Sequence, residues 1–264
     1  MLPNSMPLAV SLPAASRPSL RQLLNRWNNA AASGGRKSSS SGSGGFGDPS
    51  RRVTDILLVA NVALFGLQLL TKQALTLWGL KVNQLIVAGQ WWRLLTSAFL
   101  HADLFHLGFN CNALNNLGPL MEQRMGRPRY IATYLVAAVA GSLASFFGSP
   151  SPSLGASGAI FGIGGAMAMY FYRNKDIYGK RSDFILQQLW QNLLLNVAYG
   201  FMNSRIDNWG HMGGLVGGAL AAYLLGPNYV VGRLPGQWGS YLIDQPPLPI
   251  LRSPPRPIKG NLLR

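Results

Sequence analysis

The chain has 264 residues, 48% of them hydrophobic and only 12% charged, about half the charged share of an average soluble protein, which excludes an ordinary soluble domain and points to the membrane. A formal net charge of +15 raises the question of nucleic acid, because a basic surface is its electrostatic footprint. The single cysteine, Cys111, excludes an intrachain disulfide and a multi-cysteine metal site and is read as a small packing residue.

Residues 1–47 hold no Asp or Glu and end in "GGRKSSSSGSGGFG". Residues 1–50 are therefore expected to be an organelle transit peptide with a flexible linker, outside the fold. A disordered cytosolic tail is the plainer alternative. Within this stretch "RPSLRQLLNRWNNA" sets Leu20, Leu24 and Trp27 on one helical face among arginines, which also suits a mitochondrial presequence.

A membrane core is expected over residues 51–226. Six stretches approach the roughly 20 residues a spanning helix needs: Thr54 to Thr71, Leu104 to Met121, Tyr130 to Phe147, Ser157 to Tyr172, Phe184 to Met202 and Trp209 to Leu225. The second and fifth carry Asn and Gln, so four spans is the alternative count. With six, 19 of the 23 Lys and Arg fall on one side of the membrane, before residue 53, within 122–129 and 173–181, and after 226. That is the asymmetry of the positive-inside rule, so the charge reads as topology and anionic-lipid contact, and no nucleic acid is expected. After the first span, "KQALTLWGLKVNQLIVAGQWWRLLTSAFLHAD" is too apolar for a solvated loop and too broken for a span; Trp91, Trp92 and Arg93 mark it as interfacial. Residues 227–264 are proline-rich and read as an extended tail or lid.

Titratable and strongly polar groups inside spans are costly and are functional candidates by default. His106 and Asn110 are four apart, on one face of the second span. Ser157 opens the fourth span, and His211 lies in the first turns of the sixth, roughly 5 to 8 Å below its start. Spans two, four and six run in the same direction, so these residues reach a similar, shallow depth from the face poor in basic residues. Gly210, Gly214 and Gly218 form a rib on span six, with Gly213 and Gly217 beside it, and span four carries Gly158, Gly162 and Gly165. Small residues at that spacing let transmembrane backbones approach closely. Such an approach would bring a serine hydroxyl to an imidazole able to act as its base. Side chains of Asn110 and His106, with the Ser157 N–H, are candidate donors to a developing oxyanion. Asp207, four before His211, either orients the ring as a triad acid or forms a surface ion pair with Arg205, the simpler expectation. His101 is expected to be structural. The bland alternative for the "GASGAIFG" stretch is helix packing; the convergence of Ser, His, His and Asn on three parallel spans argues for chemistry.

"WWR", "HADLFHLGFN", "MEQRMG", "GASGAIFG" and "GHMGGLVGG", in this order and spacing, resemble the rhomboid intramembrane serine proteases over about residues 53–226. The wording around "NSRIDNWGHMGG" is most similar to plant plastid members. The resemblance implies an all-α membrane protein, a six-helix rhomboid-like bundle with an interfacial loop after helix 1. It implies cleavage of transmembrane substrates by a Ser-His dyad with no catalytic acid and no cofactor or metal. Ser157 matches the nucleophile, His211 the base, His106 and Asn110 the oxyanion side chains, and Gly155 the glycine two before the serine. Arg93, Glu122 and Arg124 match structural family elements. Phe161 stands where bacterial members often carry a tyrosine stacked on the histidine.

The rival expectation is an inactive rhomboid-like binder of transmembrane helices in quality control or trafficking. No H-E-x-x-H and no intramembrane aspartate pair is present, which disfavours other proteolytic designs. A plastid membrane, the envelope first, is the expected location, with the mitochondrial inner membrane second. The expected partners are transmembrane substrates and the lipid bilayer, and self-association is left open.

Overall fold

A computed structural model describes residues 44–202, 206–235 and 238–258, without the side chains of 192–202. The transit-peptide expectation therefore falls almost wholly outside the described residues, and so does Arg205.

Helix α1 (Arg52–Leu70) is capped from elsewhere in the chain. The first N–H groups of a helix have no partner inside it, and here the Glu122 carboxylate accepts from the Val53 and Thr54 amides (2.9 and 2.8 Å) and from the Thr54 hydroxyl (2.9 Å). A negative group at this end also complements the helix dipole. Glu122, only 2% exposed, thus pins the end of one long helix to the start of another.

The long connection that follows folds into three short helices, α2 (Ala74–Gly79), α3 (Asn83–Val87) and α4 (Arg93–Thr96). Arg93, at the start of α4, ties it to the end of α2 and to the turn after α3. Its guanidinium donates to the Leu77 and Leu80 carbonyls (2.9 and 2.7 Å) and to the Gln90 side chain (2.7 Å), while Trp92 stacks on Trp78 with ring centres 5.6 Å apart. Carbonyls of the same segment also accept from the Trp92 indole at Trp78 (3.3 Å) and from the Thr96 hydroxyl at Gly79 (2.8 Å).

Five further helices complete the bundle: α5 (Leu104–Met125), α6 (Arg127–Gly148), α7 (Ser157–Arg173), α9 (Lys180–Met202) and α10 (Asn208–Leu225), with a single turn, α8 (Lys175–Tyr178), between α7 and α9. The six long helices overlie the six apolar segments. Two of them, over Pro49–Leu70 and Arg127–Gly148, are long and apolar enough by composition to cross a bilayer. Helix α5 runs four residues beyond the expected end and α6 begins three before the expected start. Charge did not stop them, because Arg124 bonds the Tyr178 hydroxyl (3.2 Å), Arg129 pairs with Asp244 (2.8 Å), and Pro128 suits a first helical turn. Between α5, α6 and α7 lies the core, built from Leu114, Met121, Tyr130, Tyr134, Ile163 and Tyr170.

The C-terminal segment, expected to be an extended tail or lid, folds over much of its described length into a small sheet. Strands β1 (Tyr229–Gly232), β2 (Tyr241–Asp244) and β3 (Arg256–Pro257) form an antiparallel sheet in that order. "YVVG" and "YLID" have the aromatic and branched residues that favour strands, and the prolines lie between strands or on edge β3, where a missing N–H costs little. Buried Asp244 fastens the sheet by accepting from Arg129 and from the Asn228 N–H (3.1 Å). Asn174, at the end of α7, accepts from the Tyr229 N–H (2.8 Å) and donates to the Pro227 carbonyl (3.1 Å).

Candidate active site

Where α7 meets α10 the two backbones touch. A Cβ on Gly214 would lie 2.0 Å from the Gly158 carbonyl oxygen, and one on Gly218 would lie 2.0 Å from that of Gly162. Helix α6 closes the third side, since a Cβ on Gly141 would sit 2.7 Å from the Gly210 oxygen. Gly213 and Gly217, the second rib of α10, meet Ala144 and Ala140 of α6. The glycines therefore serve a three-helix junction, where pairing of α7 with α10 alone was expected.

At the start of that junction the Ser157 Oγ lies 2.8 Å from Nε2 of His211. Phe161, one turn along α7, lies flat on the imidazole, with ring centres 4.3 Å apart and planes 11° apart. The aromatic face holds the ring's plane, leaving Nε2 directed at the hydroxyl.

Gly155 is held at φ +133°, a conformation that side chains rarely adopt. A Cβ there would lie 2.7 Å from Cε1 and 2.8 Å from Nε2 of His106, and 3.7 Å from the Ser157 oxygen. His106 and Ser157 therefore border the same glycine. The His106 backbone N–H is taken by Asp103, the N-cap of α5 (2.8 Å). Asn110 is buried and spends its amide N–H on the His106 carbonyl one turn back (3.1 Å). Its side chain makes no hydrogen bond to Ser157 or His211. His101 packs edge-on against His106 at 5.3 Å. It is 1% exposed, and its ring nitrogens have no hydrogen-bond partner among the described residues. Burial first, and the neighbouring His106 second, push its pKa down to about 4.

Of the two sequence expectations for Asp207, the ion pair with Arg205 lies outside the described residues, and the triad acid is not what the described contacts show. One carboxylate oxygen accepts from the Gly210 N–H (2.9 Å) as the N-cap of α10, and the other from the Ser145 hydroxyl of α6. With both oxygens so engaged and no hydrogen bond from the carboxylate to the imidazole, it is not placed as a triad acid. An Asp directly before an apolar helical run is itself an N-cap signature, so this role was legible and was passed over.

Ser157, His211 and Asp207 line a small cavity together with Ser97, Ser142 and Ser153. His106 and Asn110 do not line it. Lys81, fully buried, donates through its ammonium to the Ser149 and Ser151 carbonyls (2.9 Å each). Burial lowers its pKa below the ordinary lysine value, and the negative Asp207 partly opposes that. Neither the serine cluster nor Lys81 carried a signal in one sequence. Among the described residues no group of three or more His, Cys, Asp or Glu is arranged to hold a metal ion.

The rhomboid domain model matches residues 88–228, more than half of the chain. The chain belongs to the rhomboid family. Rhomboid protease GluP of Bacillus subtilis (strain 168) is 43% identical over 158 residues, covering 58% of this chain and 30% of GluP. RHOMBOID-like protein 9, chloroplastic, of Arabidopsis thaliana is 30% identical over 154 residues, covering 57% of this chain and 35% of that protein. Rhomboid protease AarA of Providencia stuartii is 29% identical over 208 residues, covering 67% of this chain and 74% of AarA. The chain thus spans about a third of the length of the first two relatives. As a rhomboid, this mostly helical chain is a membrane protein. Arg93, Glu122 and Arg124 bond the Leu77 carbonyl of α2, cap α1 and contact the Tyr178 hydroxyl, respectively.

Proposed function

We propose that this rhomboid is an intramembrane serine endopeptidase in which Ser157 is the nucleophile and His211 the general base. The observation that carries this is the 2.8 Å contact between the serine oxygen and Nε2 of His211, on an imidazole whose plane is held by Phe161 and to which no acid among the described residues is bonded. Serine is a weak nucleophile until a base takes its proton. In the first step the Oγ–carbonyl bond forms, the Oγ proton passes to Nε2, and the carbonyl electrons move onto oxygen. Donors for that oxyanion are the Ser157 N–H at the start of α7 and the side chains of His106 and Asn110, each worth about 3 to 4 kcal/mol of transition-state stabilisation. The C–N bond then breaks, Nε2 returns its proton to the leaving amine, and water releases the acyl group from Ser157 by the same steps.

The substrates are transmembrane proteins cut near the face poor in basic residues, with all six long helices crossing the bilayer. A helical substrate hides its carbonyls in backbone bonds, so it must unwind first, which Gly, Pro or polar residues in it favour. The plastid is the first location, supported by the acid-free N-terminal stretch and by likeness to a chloroplastic relative; the mitochondrial inner membrane is the second.

Ser157→Ala is expected to abolish cleavage of a co-expressed transmembrane substrate while the protein still inserts. A fluorophosphonate probe should label the wild type and leave the variant unlabelled. Cleavage undiminished by Ser157→Ala would overturn the assignment in favour of a non-catalytic binder of transmembrane helices.

A further inference from the structure

Glycine contacts set how closely α7 and α10 approach but not their register. Dispersion is non-directional, so these contacts by themselves resist small slides and turns only weakly. A serine and an imidazole held at 2.8 Å tolerate no such freedom, because a displacement of about 1 Å can cost 100-fold in rate. Something directional must fix the helix that carries His211.

The described residues contain such a device at the mouth of the junction. Asp207 caps α10 through the Gly210 N–H, and its own carbonyl accepts from the His211 N–H (3.1 Å), so the carboxylate lies one turn from the base. Its second oxygen is held by Ser145 on α6, which is 1% exposed. The Ser145 hydroxyl lies 3.2 Å from that of Ser153, four residues before Ser157. Ser153 in turn exchanges backbone hydrogen bonds with Lys81 in both directions (2.9 and 3.1 Å). The Lys81 ammonium grips the Ser149 and Ser151 carbonyls of the same loop, and the Gly155 N–H is anchored on the Ser97 carbonyl (2.9 Å). A continuous chain of hydrogen bonds therefore runs from the helix bearing the base to the loop delivering the nucleophile.

We propose that Asp207 is a positioning residue: with Ser145 and the Lys81-bound loop it clamps the start of α10, holding His211 in register with Ser157. The inference rests on the Ser157–His211 assignment above. Asp207 does not relay a proton, and its bonds to Gly210 and Ser145 replace the triad acid's contact with the imidazole.

The test measures the rate at which a fluorophosphonate reacts with Ser157 in the purified full-length protein in liposomes, well below each variant's unfolding temperature. Asp207→Ala should lower the maximal rate about 100-fold, as for a misplaced reacting group, with the half-saturating probe concentration unchanged. Asp207→Asn should recover most of the loss, because asparagine caps helices as well as aspartate does and offers Ser145 an N–H. Ser145→Ala should be slower than wild type, and it decides the question if Asp207→Ala does not fold. Wild-type rates in Asp207→Ala or in Ser145→Ala overturn the proposal. So does Asp207→Asn as slow as a folded Asp207→Ala, since charge and not bonding geometry would then carry the effect. Failure of the wild type to label at Ser157 would instead sink the dyad assignment itself.

Discussion

The two ends of this bundle bring their helices together by different means, although the Asp207 clamp adds charged hydrogen bonds to the first. At the end where α7 and α10 begin, backbones meet through glycine, with carbonyl oxygens where side chains would otherwise stand. At the end where α5 and α7 finish, charged and polar side chains make the joins: Glu122 on the start of α1, Arg124 on Tyr178, Arg129 on Asp244, and Asn174 on the C-terminal sheet. Close approach puts two reacting groups together but supplies little direction, whereas charged hydrogen bonds supply direction at the cost of burying ions. The first lets two side chains meet at a helix crossing; the second suits a frame that must not move.

Four experiments break or sharpen this contrast. The largest effect is expected from Gly214→Ala. Its Cβ would lie 2.0 Å from the Gly158 carbonyl oxygen, and backbone on both sides must yield. A separation of about 1 Å should cost on the order of 100-fold in Ser157 labelling, far beyond the ~1 kcal/mol of helix propensity that alanine adds. Glu122→Ala acts at the opposite end. It strands two amides and a hydroxyl at the start of α1 and should cost about 3 kcal/mol of stability, seen as a lower unfolding temperature. The labelling rate of the folded fraction should stay at the wild-type value, and a proportionate fall in that rate would show that the two ends are not independent.

Phe161→Ala removes the ring stacked on His211 and should slow labelling by about five- to tenfold, the equivalent of about 1 kcal/mol of aromatic contact. Phe161→Tyr should match the wild type, because the face and not a hydroxyl holds the imidazole. The smallest effect appears only on acidification. His101 is buried with a pKa of about 4 against the ordinary 6.5, so the folded state binds fewer protons than the unfolded one between those values. Its contribution is therefore complete above pH 6.5 and declines as the pH falls toward 4. Unfolding temperatures at pH 7 and pH 5 should differ less in His101→Phe than in the wild type; an equal difference would assign the acid sensitivity to other groups.

Much of this was legible in the chain because periodicity and composition are local. Six apolar segments mark the six long helices, and small-residue spacing on two of them marks a close crossing. Ser157, His211, His106 and Asn110 stand out as polar positions in apolar surroundings, whereas Gly155 and Phe161 are marked only by the rhomboid resemblance. Sequence spacing could not say that α6 completes the glycine junction or that Asp207 turns toward Ser145 and not to the imidazole. Nor could it say that Glu122 caps a helix 68 residues upstream of it, or that a proline-rich tail closes into a sheet around Asp244. Each of those is a pairing between distant groups with several available partners. Burial chooses among them, because a charge or free amide removed from water must find its complement, and only the assembled helices bring one within reach.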